Sequence, residues 1–296
     1  MKFLKGLALF VLSFLLFLSL FIFGLALTLD QTILNPDFVV AQVDRFDVPS
    51  LAGEMLGEQI PQEGEEFMAE VVNDTIADLE PWIKEQVGAV IHSGYDYLEG
   101  RSQSPSLVIS LEPMKESLRD NLRQAVLQSP PPELTGLPPA EIERYLDGFY
   151  QQFSEQIPST FDFSEALMGA EVLAQLEVVR QGIGYFYLGY KVMIGFILLL
   201  ILLIILVNRQ VKGSTRGLGT TFLSFGVLSY IGIFFAKDIA GTQLMQLDMP
   251  VYLQTWMPQL VNDTLAPLEM YSLGLLAAGV VLLVVSFVYK PRQTEF

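Results

Sequence analysis

Residues 186–207 read FYLGYKVMIGFILLLILLIILV and carry a single charge, at Lys191. A helix needs about 20 apolar residues to cross the roughly 30 Å hydrocarbon core of a bilayer, and this stretch meets that requirement. Three other stretches also meet it, at residues 1–29, 218–236 and 271–289. The sequence therefore predicts an all-α integral membrane protein with four transmembrane helices, of which residues 186–207 form the second.

The composition agrees with a membrane protein and excludes several kinds of chemistry. The 296 residues are 51% hydrophobic and 17% charged, which is too apolar for an ordinary soluble domain. The net charge of −16 argues against nucleic acid as a partner, because phosphates call for clusters of Lys and Arg. The chain has no cysteine and one histidine, His92, so disulfides and thiolate metal sites are excluded and a Ser-His-Asp hydrolase is disfavoured.

The first span also begins as a signal peptide does, with Lys2 and Lys5 close to a long apolar run. A cleaved signal peptide has an apolar region of roughly 7–15 residues followed by a small-x-small cleavage site. The run here is far longer, and no such site follows it cleanly. We therefore interpret residues 1–29 as an uncleaved signal anchor.

The distribution of charge predicts the orientation of the spans. Residues 30–185 hold 28 acidic and 8 basic residues, whereas the short loop 208–217 holds three basic residues and no acidic one, and the tail 290–296 holds two basic residues and one acidic. Lys and Arg accumulate in cytoplasmic loops. Both termini and the loop 208–217 are thus expected in the cytoplasm of a cell with a plasma or inner membrane, and residues 30–185 and 237–270 outside it.

The spans carry no Asp, Glu, His or Arg at mid-depth, and such residues usually mark ion paths and proton relays in membranes. Proton-coupled transport within one chain is therefore not expected. An aromatic cluster stands at the start of the second span, where an interfacial belt is a stronger interpretation than a ligand cage. Its members are Tyr185, Phe186, Tyr187 and Tyr190.

Small residues are frequent in the third and fourth spans, and they allow helix backbones to approach closely. We expect these two spans to pack together, and the same faces are candidates for contact with another subunit. The residues singled out are Gly219, Ser224, Gly226, Gly232, Gly274 and Ala278.

An internal repeat relates two segments at an offset of 189. Residues 67–82 read FMAEVVNDTIADLEPW and residues 256–271 read WMPQLVNDTLAPLEMY, with 8 identities in 16 positions. Each copy follows an outgoing span and precedes a returning one, which predicts two parallel hairpin repeats related by an axis along the membrane normal. The shared motif consists of Asn73, Asp74 and Thr75 in the first copy and Asn262, Asp263 and Thr264 in the second. It also matches the N-glycosylation sequon, although a structural role is the stronger interpretation.

In the first repeat, residues 30–185 are predicted to form an acidic, helical, extracytoplasmic domain. Helical periodicity is clear at 65–98, 113–127 and 139–157, with Pro81 as a kink, and only 107–111 suggests a strand. No proline interrupts residues 165–207, so that helix could extend for about 65 Å into the second span, with Gly182 and Gly184 as candidate breaks.

No motif for a cofactor, a metal or catalysis is found, and the acidic residues do not follow the pattern of an EF-hand loop. We therefore expect a non-enzymatic scaffold, an accessory or assembly subunit that contacts the lipid bilayer and a membrane-protein partner or a second copy of itself. An extracytoplasmic sensor is one alternative.

A transport component is the other alternative. The order of one span, a large outer domain and three further spans resembles the layout of MacB- and FtsX-type ABC permeases. The resemblance concerns topology alone, because the chain lacks an amphipathic cytoplasmic helix before the first span and a β-rich outer domain. It implies an ATPase as partner.

Overall fold

The computed structural model describes residues 2–45, 65–104, 107–128, 134–163, 165–244 and 251–289, and it is mostly helical (88%). Four helices in these ranges are long and apolar enough to cross a membrane. The expectation of a mainly helical, multi-pass membrane protein is confirmed at this level. The predicted tail 290–296 lies outside the described residues.

Eight helices and two strands are described, and we number them in chain order. They are α1 (Lys2–Gln31), α2 (Pro36–Val43), α3 (Glu65–Leu98), β1 (Leu107–Ser110), α4 (Glu112–Gln128), α5 (Pro139–Gln156), β2 (Thr160–Phe163), α6 (Glu165–Asn208), α7 (Val211–Leu244) and α8 (Val251–Val288).

The chain divides into two compact units. The membrane unit comprises Met1–Phe38 and Gln181–Phe296, and it contains the apolar runs of α1, α6, α7 and α8. The middle unit comprises Val39–Arg180. Each unit has its own cluster of buried apolar side chains.

The membrane unit is built around α7. One third (33%) of the apolar window of α7 is buried, against 11–17% for the other three helices. Its Leu218 and Phe225 belong to the same buried cluster as Leu16 and Leu20 of α1 and Ile204 of α6. Many of the other apolar side chains of the four helices are exposed, as expected for helices surrounded by lipid.

The turn between α6 and α7 consists of Arg209 and Gln210 alone, so residues 211–217 of the expected loop are helical. Arg209 adopts a left-handed conformation (φ 55°), as residues that end helices often do. Lys5 Nζ donates to the carbonyl oxygen of Asn208 at 3.1 Å. It thereby places a cation at the helix end where unpaired carbonyls carry partial negative charge.

The middle unit packs α3, α4 and α5 around a core formed by Val71, Leu122, Val126, Leu134 and Leu146. Polar contacts support this packing at its edge. Asn121 Nδ2 of α4 donates to Asp78 Oδ2 of α3 at 2.9 Å, and Arg123 of α4 pairs with Glu143 of α5 at 2.6 Å.

A two-stranded antiparallel ribbon completes the middle unit, with Leu107 opposite Phe163 and Ser110 opposite Thr160. The strand expected at 107–111 is therefore present, but its partner β2 was not expected. β2 has the sequence TFDF, which is only four residues long and offers too short an alternation of apolar and polar side chains to be recognised.

The long helices differ from expectation in where they break. In α6 the non-helical residue is Gly169 (φ 74°, ψ 157°), whereas Gly182 and Gly184 are helical. α3 runs through Pro81 as one helix, in agreement with the periodicity at 65–98, and α8 continues through Pro258 and Pro267. α8 thus joins the second copy of the repeat to the fourth span in one helix.

Candidate functional site

Among the described glycines of the membrane unit, those closest to a neighbouring backbone lie at the contact between α7 and α8. A Cβ atom added to Gly279 would lie 2.5 Å from the backbone nitrogen of Leu223, and one added to Gly226 would lie 2.8 Å from the carbonyl oxygen of Ser272. A Cβ atom added to Gly219 would lie 3.0 Å from the carbonyl oxygen of Gly279. At these contacts, higher residue numbers on α7 meet lower residue numbers on α8, so the two helices are antiparallel.

The contacting small residues recur every seven positions on both helices. They are Gly219 and Gly226 on α7, and Ser272, Gly279 and Ser286 on α8. A repeat of seven keeps one narrow face of a helix against its neighbour, as in left-handed helix packing. Ser272 and Ser286 were not singled out from the sequence, although this shared spacing was the signal that pointed to them.

Hydroxyl groups reinforce the same contact. The Oγ atoms of Ser272 and Ser229 are 2.7 Å apart, and Ser286 Oγ donates to the carbonyl oxygen of Lys212 at 3.1 Å. Ser272 and Ser286 are buried, with relative exposures of 0% and 2%. Interhelical hydrogen bonds of this kind fix the register of membrane helices because the hydrocarbon offers no other partner.

The other small residues singled out in the sequence do not lie at this contact. Ser224, Gly232 and Gly274 are exposed, and Ala278 is half-buried. A Cβ atom added to Gly232 or to Gly274 would have no neighbour within 4 Å. Gly232 and Gly274 are therefore open on the outside of the unit.

The two copies of the repeated motif both lie inside helices, in α3 and in α8. Asn73 and Asp74 are exposed, and Thr75 is buried with its hydroxyl donating to Val71 O at 2.6 Å. In the second copy Asn262 is exposed, while Asp263 and Thr264 are half-buried. The asparagine thus faces outward in both copies.

Each copy has a glutamate at the third position from its end, and this glutamate takes part in an ion pair, but with a different partner in each copy. Glu80 pairs with Lys84 on the same helix at 2.7 Å. Glu269 of α8 accepts a hydrogen bond of 2.5 Å from Lys237 Nζ of α7. Lys237 lies about 32 Å from Arg216 along α7, at 1.5 Å per residue, which is close to the thickness of a hydrocarbon core.

The aromatic residues at the start of the second span divide between two environments. Tyr185 is exposed (74%), and Phe186 and Tyr187 contact each other edge to face. Tyr190 stacks on Phe23 of α1 with ring centroids 5.2 Å apart. Tyr190 is thus part of the helix packing of the membrane unit.

Phe23 also meets Tyr271 of α8 edge to face at 5.8 Å. The Tyr271 hydroxyl donates to the carbonyl oxygen of Leu20 at 3.3 Å, which ties α8 to α1. These aromatic contacts across α1, α6 and α8 were not anticipated from the sequence, because nothing in the linear pattern relates Phe23 to Tyr190 or to Tyr271.

A half-open apolar cavity of about 290 Å³ lies between α1, α7 and α8. We call it the leaflet cavity. Among the described residues that line it, Ser229 alone has a polar side chain, and its hydroxyl is engaged with Ser272. Phe21 and Leu228 line it and are also exposed on the outside of the unit, at 49% and 64%. Its wall is formed by Phe17, Phe21, Phe225, Leu228, Ser229, Gly232, Ile233, Ala236, Leu265 and Leu268.

In the middle unit, the surroundings shift the pKa values of Glu112 and Tyr95. The hydrogen bond with Ser159, together with the one from Lys115, holds the pKa of the Glu112 carboxyl below its ordinary value. Burial, together with the negative charge of Glu99, raises the pKa of the Tyr95 hydroxyl. Within the described ranges, no group of three or more His, Asp or Glu side chains is arranged to hold a metal ion.

Comparison with known proteins adds no assignment, since no protein-family model, no curated protein and no solved structure matches this chain.

Proposed function

We propose that the protein is a non-catalytic, multi-pass membrane scaffold, an accessory or assembly subunit that holds its middle unit against partner proteins. The observation that carries the proposal is the division of the chain into two compact units. One unit contains the four membrane-length helices, and the other has a separate core around Val71, Leu122 and Leu146. A membrane-fixed domain with its own core is a natural platform for contacts with other proteins.

The middle unit is proposed to lie on the extracytoplasmic side of a plasma or inner membrane. One end of the membrane unit gathers the basic residues Lys5, Arg209, Lys212 and Arg216. The Lys5–Asn208 and Ser286–Lys212 hydrogen bonds bring the start of α1, the end of α6, the start of α7 and the end of α8 to this end. The positive-inside rule favours a cytoplasmic location for this end of the membrane unit, and therefore for both termini.

The membrane unit offers a surface for a partner helix on α8. Gly274 and Ala278 have the small-xxx-small spacing that favours close helix pairs, and the α7 contact uses Ser272 and Gly279 instead. We propose that Gly274 and Ala278 contact a helix of a partner or of a second copy. The excess of acidic over basic residues in 30–185 favours a basic partner outside the membrane.

We also propose that the chain arose by duplication of a helical hairpin. The repeated segments lie inside α3 and α8, and both turn an asparagine outward. In each segment the equivalent glutamate, Glu80 or Glu269, takes part in an ion pair. The enlarged first copy would then be the origin of the middle unit.

Gentle detergent extraction from cells at native expression, followed by native mass spectrometry, tests the scaffold. We expect the full-length chain to leave the membrane with a stoichiometric protein partner or as a homo-oligomer. Gly274→Leu should release that partner, because the leucine side chain separates the two helices. Gly195→Leu, at an open glycine of α6, is the matched control. A chain that remains alone and monodisperse would contradict the proposal.

A further inference from the structure

The leaflet cavity extends over the depth of one bilayer leaflet. It reaches along α7 from Phe225 to Ala236, which is about 16 Å at 1.5 Å per residue and about half of the hydrocarbon thickness. Lys237 and Glu269 directly follow Ala236 and Leu268, so their ion pair stands at the membrane-surface end of the cavity. Cavity and ion pair together have the layout of one lipid molecule, with an apolar chain below a polar head.

The chemistry of the wall selects an apolar occupant. Ser229 is engaged with Ser272, and the other lining side chains are aliphatic or aromatic. A polar ligand would lose its water there and gain no hydrogen bonds in return. The volume of about 290 Å³ is at the lower limit of common ligand pockets and suits one hydrocarbon chain.

The entrance of the cavity faces the bilayer. Phe21 and Leu228 contribute to its wall and are exposed on the outside of the unit. Gly232 keeps the entrance open, because a Cβ atom at this position would have no neighbour within 4 Å. A chain of a bilayer lipid can therefore enter sideways without any separation of the helices.

The ion pair adds a preference for a headgroup. Lys237 and Glu269 are partly exposed, at 28% and 30%. The ammonium group has three hydrogens and gives one to Glu269, and the carboxylate has a second oxygen. A headgroup with both a phosphate and a primary amine matches this arrangement, with the phosphate on Lys237 and the amine on Glu269.

We propose that the leaflet cavity binds a single phospholipid of the phosphoethanolamine class. One acyl chain lies between α1, α7 and α8, and the headgroup bridges Lys237 and Glu269. This site goes beyond the scaffold function and does not depend on it, since it requires only that α1, α7 and α8 cross a bilayer.

Photolabelling of the full-length chain in phosphatidylcholine nanodiscs tests the site. Two probes share one diazirine-bearing acyl chain and differ in headgroup, phosphoethanolamine in one and phosphoglycerol in the other. We expect the ethanolamine probe to label peptides that contain Phe21, Leu228 or Leu265 in preference to other lipid-exposed helix faces. The glycerol probe should label these peptides less.

Three variants separate the parts of the site. Gly232→Leu fills the entrance, and it should reduce labelling of these peptides by both probes about tenfold, which corresponds to 1.4 kcal/mol. Glu269→Gln should remove the preference for the ethanolamine probe. Gly195→Leu makes the same exchange at an open glycine of α6 and should label as the unmodified chain does.

Several results would overturn the proposal. Uniform labelling of all lipid-exposed helix faces, or labelling that is unchanged in Gly232→Leu, would show that no lipid is held in the cavity. Equal labelling by the two probes would overturn the headgroup assignment. Absence of labelling of these peptides by both probes, while other lipid-exposed helix faces are labelled, would show that something other than a lipid occupies the cavity.

Discussion

Gly279 and Leu223 approach so closely that a Cβ atom on the glycine would lie 2.5 Å from the backbone nitrogen of the leucine. This distance is shorter than any normal contact between a carbon and a nitrogen atom. The pairing of α7 with α8 therefore depends on the absence of a side chain at this position.

The first prediction follows from this contact. Gly279→Ala should lower the stability of the protein by about 1–3 kcal/mol, because the added methyl group forces the helices apart. The thermal midpoint of the full-length protein in detergent, followed by the loss of its monodisperse peak, measures the effect. Gly195→Ala, at a glycine of α6 where a Cβ has no neighbour within 4 Å, should leave the midpoint unchanged or higher. Equal midpoints for the two variants would contradict the proposed role of Gly279.

The second prediction concerns the contact between the Ser272 and Ser229 hydroxyl groups, at 2.7 Å. Measured interhelical hydrogen bonds in membranes contribute on average about 0.6 kcal/mol, so each alanine variant should be only mildly destabilised. A double-mutant cycle of Ser272→Ala and Ser229→Ala isolates the pair. Stability effects that add with no coupling would show that the contact does not stabilise α7 against α8.

The third prediction addresses the separate core of the middle unit. Leu122 of α4 is buried there, so Leu122→Ala should lower its stability by about 2–5 kcal/mol. Hydrogen exchange of the full-length protein should then show faster exchange of amides in α3 and α4, while α7 and α8 are unchanged. Leu127→Ala, on the same helix but 56% exposed, serves as the control and should have little effect. Equal effects of the two substitutions would contradict a core at Leu122.

The fourth prediction is a dependence on pH. The pKa of Glu112 is lowered in the folded protein by Ser159 and Lys115, so its charged form stabilises the fold at pH values above the unfolded pKa. This contribution is lost as the pH falls through the folded pKa.

Glu112→Gln should therefore lower the thermal midpoint at neutral pH, and its difference from the unmodified chain should vanish in acid. Glu116→Gln, at an exposed position on the same helix, is the control. A difference that stays constant from neutral to acidic pH would contradict the role assigned to the Glu112 carboxylate.

The sequence predicted the four apolar helices well because a bilayer imposes one simple requirement, a long apolar run. It did not predict which glycine breaks α6. Gly169, Gly182 and Gly184 look alike as residues, and only Gly169 adopts a positive φ in the structure. The partners of β1 and of Phe23 were also missed, because strand pairing and ring stacking join residues that are far apart in the chain.

The candidate site was predicted less completely. Gly219 and Gly226 were recognised as packing residues, but Ser272 and Ser286 were not. The small-xxx-small motif, with small residues four positions apart, points to Gly274 and Ala278. The small residues at the contact of α7 and α8 instead recur every seven positions. The leaflet cavity depends on three helices that only the fold brings together, so no local pattern reveals it.

The sidedness of the middle unit is tested most directly by labelling single cysteines with a membrane-impermeant maleimide in intact cells, since the chain has no cysteine of its own. The proposal predicts that Gly148→Cys, at an exposed position of α5, is labelled from outside, and that Gln210→Cys, in the turn between α6 and α7, is labelled only after the cells are opened. Labelling of Gln210→Cys in intact cells, with Gly148→Cys protected, would place the middle unit in the cytoplasm and contradict the account.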